Sequence, residues 1–219
     1  MGRLGHARSS QPLKRELFPL GFAGEVMLLI MGTWKTFSLH RRVRLETRIT
    51  AVFRDALIRA YVVAGRSWFI TLEDPVTDPT FGTEEGRNDL NFFPPQHYGQ
   101  RVFFTVECKR LHVMRKSGFV DLAGAYVEKG MQRFVDGQYS SGLPCGGMVG
   151  YVMDNEVKKA FDKVRDSIAD KLRELRVPSR NSIRKPSAVL LGYEFSADTV
   201  HVLPDGNFTL HHLFLGVQN

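Results

Sequence analysis

The spacing of apolar residues alternates along the chain between the period of a helix and the two-residue period of a strand. Residues 39–63 place apolar side chains three and four positions apart, which predicts an amphipathic helix that ends at Gly65. Residues 67–74, 87–93 and 100–111 are β-branched and aromatic runs separated by proline and glycine, which predicts three strands. Because the connections between these strands are short, we expect an antiparallel meander.

The second half of the chain continues this mixture of helices and strands. Helical spacing recurs in residues 119–135 and 155–177. Compact apolar runs predict three further strands, at residues 148–153, 189–195 and 208–217. The pattern indicates an α/β fold. A length of 219 residues is too short for two domains of average size, so we expect a single domain over residues 37–219.

The first 36 residues are the least informative part of the chain, and we interpret them as an N-terminal extension of unclear order. Their most apolar stretch, residues 17–30, contains Pro19 and Glu25 and falls short of the roughly 20 apolar residues that a membrane-spanning helix needs. A small-x-small cleavage site does not follow it before Trp34. We therefore expect neither a membrane span nor a secretory leader.

Charge and cysteine content narrow the expected partner and compartment. A formal net charge of +7 favours a polyanionic partner, and nucleic acid is the leading candidate. The two cysteines are Cys108 and Cys145. Cys108 lies between two candidate site residues, where a disulfide would be awkward, so we expect a reduced, cytoplasmic compartment.

Residues 88–111 carry the candidate chemistry. Side chains two apart on a strand point to the same face, so Glu107 and Lys109 share one face of the third predicted strand. The opposite face carries the apolar residues Val102, Phe104, Val106 and Cys108. We expect that face to pack on the helix at residues 39–63. Asp89, on the preceding strand, reaches Glu107 and Lys109 if the register of the hairpin allows it.

Two converging carboxylates with a lysine beside them suit a divalent cation that keeps several waters and bridges to a phosphate. Ligation by oxygen atoms alone favours Mg²⁺ or Mn²⁺ over zinc. The sequence has neither the cysteine and histidine spacing of a zinc site nor a glycine-rich phosphate loop. Asp89, Glu107 and Lys109 therefore predict a metal-dependent phosphodiesterase site.

The order of these residues resembles the PD-(D/E)xK restriction-endonuclease-like superfamily. The resemblance covers roughly residues 39–153, with Glu46 on a helix, Asp89 on a strand, and Glu107 and Lys109 on the next strand. It implies a restriction-endonuclease-like αβββαβ core, with a mixed central sheet flanked by helices. The chain departs from the family's namesake motif at Asn88, where that motif has proline.

The resemblance also implies a role for each residue. Asp89 and Glu107 would bind Mg²⁺ or Mn²⁺, and Lys109 would assist the nucleophilic water. Glu46 would complete the metal site. Residues on the helix after the third strand often support such a site, and the candidates here are Tyr126, Gln132 and Arg133.

The expected function is that of a metal-dependent endonuclease acting on DNA. The resemblance suggests restriction, repair or antiviral defence as its setting, and a homodimer, because many members cut both strands as dimers. Phosphate contacts would weaken steeply with salt. The residues expected to make them are Arg41, Arg42, Arg44, Arg180, Arg184 and Lys185.

Other interpretations of the same residues stay open. Glu107 and Lys109 could form an exposed cross-strand charge pair, with Asp89 as a turn residue. The fold could bind nucleic acid without cutting it, or the chain could be a subunit that associates with a helicase or another ATPase. Cys145 has no adjacent base in the sequence, which favours a loop residue over a nucleophile. Three late histidines could be phosphate contacts, acid-base groups or ordinary core and surface residues: His201, His211 and His212.

Overall fold

A mixed seven-stranded sheet forms the central layer of the structure, a computed structural model that describes residues 11–40, 42–77, 84–95 and 102–218. The strands are β1 (Phe69–Thr77), β2 (Glu84–Phe93), β3 (Phe104–Leu111), β4 (Val113–Arg115), β5 (Gly118–Val120), β6 (Cys145–Val152), β7 (Ile183–Arg184), β8 (Ser196–Leu203) and β9 (Gly206–Gly216). The order across the sheet is β1-β2-β3-β6-β9-β8-β7, and β4 and β5 form a separate hairpin.

In the described ranges, six α-helices accompany the strands: α1 (Gln11–Leu17), α2 (Phe22–Thr36), α3 (Glu46–Val63), α4 (Ala123–Tyr126), α5 (Gln132–Val135) and α6 (Val157–Asp170). A π-helical turn, Val127–Met131, joins α4 to α5. The strands β3, β6 and β9 run parallel, and the outer pairs are antiparallel. The expected α/β class with a mixed central sheet and flanking helices is confirmed.

The central strand β6 is buried along its whole length, as expected for a strand with parallel neighbours on both sides and helices on both faces. Its glycines let neighbouring side chains approach. A Cβ atom at Gly147 would lie 3.0 Å from Val106 Cγ2 and 3.1 Å from Phe104 Cε1. This close packing holds β3, the strand of the candidate site, firmly against the middle of the sheet.

Helices cover both faces of the sheet. On one face α2 and α3 pack against β3, β6 and β9, and Phe53 and Leu57 of α3 join Phe104, Val106 and Cys108 in one apolar cluster. This confirms the expected packing of the third strand on the helix that follows residue 39. On the other face α4, α5 and α6 pack around a second apolar cluster.

Helix α2 lies within residues 1–36, for which the sequence predicts an extension of unclear order. In the structure it belongs to the core, because Val26, Met27 and Ile30 are fully buried in the first cluster. The Trp34 indole donates to the Gly216 carbonyl oxygen at 2.8 Å and thereby ties α2 to β9. None of the helices in the described residues has both the length and the apolar character required to cross a bilayer.

Three predicted helices are shorter in the structure. The helix predicted from residue 39 begins at Glu46, because the preceding segment forms a turn in which Val43 N donates to the His40 oxygen at 2.8 Å. Arg42 and Arg44 therefore precede the helix and do not line its polar face. The helix predicted to end at residue 177 ends at Asp170, and turns follow it.

The helix predicted over 119–135 begins only at Ala123, because residues 118–120 form strand β5. The strand predicted at residues 189–195 is wrong. Two successive turns occupy that segment, in which Leu190 N donates to the Ser187 oxygen and Tyr193 N to the Leu190 oxygen, both at 3.1 Å. The strand of this region is β8 instead.

Candidate functional site

The sheet opens between β2 and β3 at the level of Asp89. The ladder between these strands ends at the pair Leu90 and Val106. Beyond that pair, the backbone N–H of Cys108 donates to Asp89 Oδ2 at 2.7 Å. The carboxylate therefore takes the place of a backbone acceptor, and its position is fixed by β3 itself.

Glu107 and Lys109 meet beside this opening. The Lys109 ammonium donates to Glu107 Oε1 at 2.6 Å, as the alternation along β3 predicts. The Glu107 side chain is fully buried, and the Lys109 side chain is 14% exposed. A charged pair this deeply buried needs further hydrogen bonds, and Glu46 and Arg133 supply some of them.

Glu46 joins the site through the lysine. Glu46 is the first residue of α3. Its Oε1 accepts a hydrogen bond from the Lys109 ammonium at 3.1 Å, and its Oε2 accepts one from the Arg110 backbone N–H at 2.7 Å. A carboxylate at a helix N-terminus is also favoured by the helix dipole. Within the described residues, no group of three or more His, Cys, Asp and Glu side chains is arranged to hold a metal ion. The acidic pair is thus Asp89 and Glu107, with Glu46 linked to it by Lys109.

Burial dominates the electrostatics of this group. Burial and, to a lesser extent, the nearby Asp89 charge raise the pKa of Glu107 to about 8 against the opposing effect of Lys109. Burial likewise raises the pKa of Asp89, although the charge of Lys109 lowers it. For Lys109, burial lowers the pKa, but the charges of Glu107, Asp89 and Glu46 outweigh burial and raise it. The lysine therefore stays protonated, whereas the acidic pair resists full ionisation.

One buried oxygen at the site lacks a donor. Glu107 Oε2 receives no hydrogen bond from the described residues. The carboxyl groups of Asp89 and Glu107 lie close enough for one hydrogen bond if one of them is protonated. If both carboxylates are ionised, a cation between them would stabilise them, and their oxygen atoms are the ligands that Mg²⁺ and Mn²⁺ prefer. The donor set thus fits such an ion.

Of the three supporting candidates, the structure brings one to the site. The Arg133 guanidinium donates to Glu107 Oε1 at 3.2 Å. Gln132 instead donates to Asp136 Oδ1 at 2.8 Å, and the Tyr126 hydroxyl hydrogen-bonds to His212 Nδ1 at 3.0 Å in the core. The π-helical turn before α5 determines which side of that helix faces the site, so Arg133 lies at the site and its neighbour Gln132 does not.

Tyr139 is a site neighbour that the sequence analysis missed. Its hydroxyl accepts a hydrogen bond from Arg133 and donates to the Arg87 carbonyl oxygen at 2.6 Å. It thereby connects the helix after β3 to strand β2, just before Asp89. In the sequence, Tyr139 is marked by being a single aromatic residue in the polar loop 136–144. A tyrosine in such a loop is explained by a ring that is buried and a hydroxyl that forms hydrogen bonds.

The residues expected to contact phosphate fall into two separate groups. Arg42 and Arg44 are exposed near the site, where the Arg44 carbonyl oxygen accepts a hydrogen bond from Arg110. Arg41 lies outside the described residues. The second group lies at strand β7 and the 3-10 turn before it, four strands from β3, or about 19 Å at the usual strand spacing. Its members, all exposed, are Arg180, Arg184 and Lys185.

The late histidines are buried core residues. Tyr126, His212, Thr199 and His201 form a chain of hydrogen bonds that ends on the Leu175 carbonyl oxygen. Separately, His211 Nδ1 lies 2.8 Å from Asp198 Oδ1. These contacts favour the interpretation of His201, His211 and His212 as core residues, and none of the three contacts the acidic pair.

Comparison with known proteins gives no further assignment, because the chain matches no protein-family model, curated protein or solved structure. The fold and the site define an α/β protein in which a mixed sheet opens beside a buried glutamate, Glu107, a half-buried aspartate, Asp89, and a lysine, Lys109. Both cysteines are free and buried.

Proposed function

We propose that this protein hydrolyses phosphodiester bonds in nucleic acid, foremost in DNA, with Mg²⁺ or Mn²⁺ held by Asp89 and Glu107. The observation that carries the proposal is the donorless, buried Glu107 Oε2 beside the Asp89 carboxyl, with the Lys109 ammonium on the other oxygen of Glu107. The net charge of +7 suits a polyanionic substrate.

The protein's own contacts determine which oxygens are available. The Cys108 N–H donates a hydrogen bond to Asp89 Oδ2, and Lys109 and Arg133 both donate to Glu107 Oε1. Asp89 Oδ1 and Glu107 Oε2 are therefore the atoms that would face an ion. A divalent cation at such a site lowers the pKa of a bound water and neutralises charge on the phosphate.

Lys109 acts in this proposal as a fixed positive charge and not as a general base. Its ammonium donates to Glu107, Glu46 and the Cys108 carbonyl oxygen, which occupies all three of its protons. Its raised pKa keeps it charged at neutral pH. The ammonium would orient the attacking water through Glu107 and offset charge that develops on the phosphate. These are the roles that the PD-(D/E)xK resemblance gives to the same positions.

A second candidate function is nucleic-acid binding without cleavage, alone or within a complex that contains a helicase or another ATPase. The hydrogen bonds of Glu46 favour this second function. Lys109 and the Arg110 N–H already bond both of its carboxylate oxygens, so two carboxylates, those of Asp89 and Glu107, remain to hold a metal ion instead of three.

A plasmid assay separates the two functions. Supercoiled plasmid is incubated with the protein and Mg²⁺, Mn²⁺ or EDTA, beside Glu107→Gln and Lys109→Met. Glu128→Gln is the matched control, since Glu128 is exposed, forms an ion pair with Lys171 and has no part in the proposed metal site. The proposal expects metal-dependent nicking by the wild type and the control, and at least a hundredfold loss in both site variants. Plasmid that is shifted but intact in every sample would instead support the binding module.

A further inference from the structure

A β-hairpin projects from the end of the strand that carries the candidate site. Strand β4 starts at Val113, four residues after Lys109, which is at most roughly 13 Å along the chain. On the opposite side of the opening, the β1–β2 ladder continues past Leu90 to the pair Thr77 and Glu84. Both antiparallel ribbons thus adjoin a strand that carries the candidate site, β2 with Asp89 and β3 with Glu107 and Lys109.

The base of the β4–β5 hairpin is fixed by several contacts. His112 Nδ1 lies 3.0 Å from both carboxylate oxygens of Asp154, and His112 N donates to the Asp121 oxygen at 3.0 Å. Next to it, Met153 N donates to the Leu111 oxygen at 3.0 Å. His112 adopts a φ of 54°, a conformation that non-glycine residues rarely take and that these contacts maintain. The direction of the hairpin is therefore set before any partner binds.

The hairpin exposes an apolar side chain. Met114 and Phe119 are opposite each other in the ladder, so both lie on the same face. The Phe119 ring is partly covered, since His112 lies at 5.1 Å and the Lys159 ammonium at 5.3 Å from it. Met114 remains 74% exposed. A methionine this exposed, on a rigid support, suits contact with a partner more than packing within the chain.

The charge around Met114 points to the nature of that partner. Residues 113–120 contain two basic residues, Arg115 and Lys116, and no acidic residue. Both basic side chains are exposed, and Lys159 adds a third positive charge beside Phe119. Basic residues near one exposed apolar side chain complement the phosphates and the base edges of a nucleic acid.

We propose that the β4–β5 hairpin docks on duplex DNA beside the scissile phosphate. Arg115 and Lys116 contact backbone phosphates, and Met114 rests against the bases. This inference rests on the proposed function, because it makes the hairpin part of the same substrate surface. A two-stranded ribbon fits the major groove of B-form DNA but not the deep, narrow major groove of duplex RNA, so duplex DNA is the preferred ligand.

The test measures binding without cleavage. Fluorescence anisotropy with a 30-base-pair DNA duplex in EDTA, over a series of salt concentrations, compares wild type, Met114→Ser and Arg115→Ala/Lys116→Ala. The double variant should bind at least tenfold more weakly and reduce the slope of log K against log salt by about 1.8, the value for two phosphate contacts. Met114→Ser should bind about fivefold more weakly with the slope unchanged.

Two controls keep the result specific. Lys163→Ala/Arg173→Ala removes the same charge from exposed positions on and after α6, and Leu191→Ala removes an apolar side chain that is 80% exposed elsewhere. Both should bind like the wild type. If the hairpin variants bind within twofold of the wild type, if duplex RNA binds as well as DNA, or if the wild type binds no nucleic acid, the inference is overturned. Hairpin-dependent binding with no cleavage under Mg²⁺ or Mn²⁺ would instead overturn the catalytic proposal alone.

Discussion

Asp89 Oδ2 accepts the backbone N–H of Cys108 at 2.7 Å, so the side chain of a candidate metal ligand also ends the β2–β3 ladder. These two tasks can be separated by substitution. Asp89→Asn keeps an acceptor oxygen and removes the charge that burial disfavours, so its stability should equal or exceed that of the wild type. Asp89→Ala leaves the Cys108 N–H unpaired and should cost about 1–3 kcal/mol. Urea unfolding measures both. Equal loss in the two variants would show that the hydrogen bond contributes little.

The raised pKa of Glu107 makes stability depend on pH. In the unfolded chain the carboxyl has its ordinary pKa near 4.5, and in the folded protein the pKa is about 8. At Glu107 the folded state therefore binds more protons between these values, and the contribution of this carboxyl to stability should decline as pH rises from 4.5 to 8. Glu107→Gln cannot ionise and should lack this contribution. The urea midpoints of both proteins at pH 5, 6.5 and 8, without metal, provide the comparison, and the wild-type midpoint should fall relative to that of Glu107→Gln as pH rises. A difference between the two midpoints that stays constant, or that grows in favour of the wild type, would contradict the assignment.

Two buried histidines should produce the opposite dependence. Burial lowers the pKa of His201 to about 4 and, together with the charge of His201, lowers that of His212 to about 3. Because the unfolded histidines take up protons near 6.5, stability should be lost as pH falls below that value toward the folded pKa values. The Glu107→Gln background isolates this effect. Its urea midpoint should fall between pH 7 and 5, and His201→Gln/His212→Gln in the same background should abolish the fall. A constant midpoint in Glu107→Gln would be evidence against neutral, buried histidines.

Helix α2 gives a prediction about residues that the sequence left unassigned. Ile30 is fully buried against the sheet, whereas Leu28, two residues before it, is 50% exposed. Ile30→Ala should therefore reduce the free energy of unfolding by about 2–5 kcal/mol, because it leaves a cavity in the core. Leu28→Ala, the matched control, should change it by less than about 0.5 kcal/mol. Equal effects would mean that α2 does not pack as described.

The sequence predicted the part of the fold in which pattern and burial agree. The two-residue alternation of β3 separates Glu107 and Lys109 from the apolar face, and the structure has the same separation. The sequence did not predict β8. This strand contains Asp198, Thr199 and His201, which are polar residues buried through side-chain hydrogen bonds, so its composition resembles that of a loop. Apolar periodicity cannot detect such a strand, because hydrogen-bond partners from distant segments decide its burial.

The candidate site was predictable in its residue types but not in its connections. Spacing places Asp89 near Glu107, yet no local pattern shows that Tyr139 and Arg133 would meet there. Those contacts depend on the helical phase after the π turn and on the path of a loop. Both follow from tertiary packing.

Binding of Mn²⁺ tests the central claim most directly, because it examines the acidic pair without requiring cleavage. Isothermal titration calorimetry of the wild type should detect one Mn²⁺ per chain, and Glu107→Gln should lose it while Glu128→Gln retains it. If the wild type binds no Mn²⁺, or if Glu107→Gln binds it as well as the wild type does, Asp89 and Glu107 do not form the metal site.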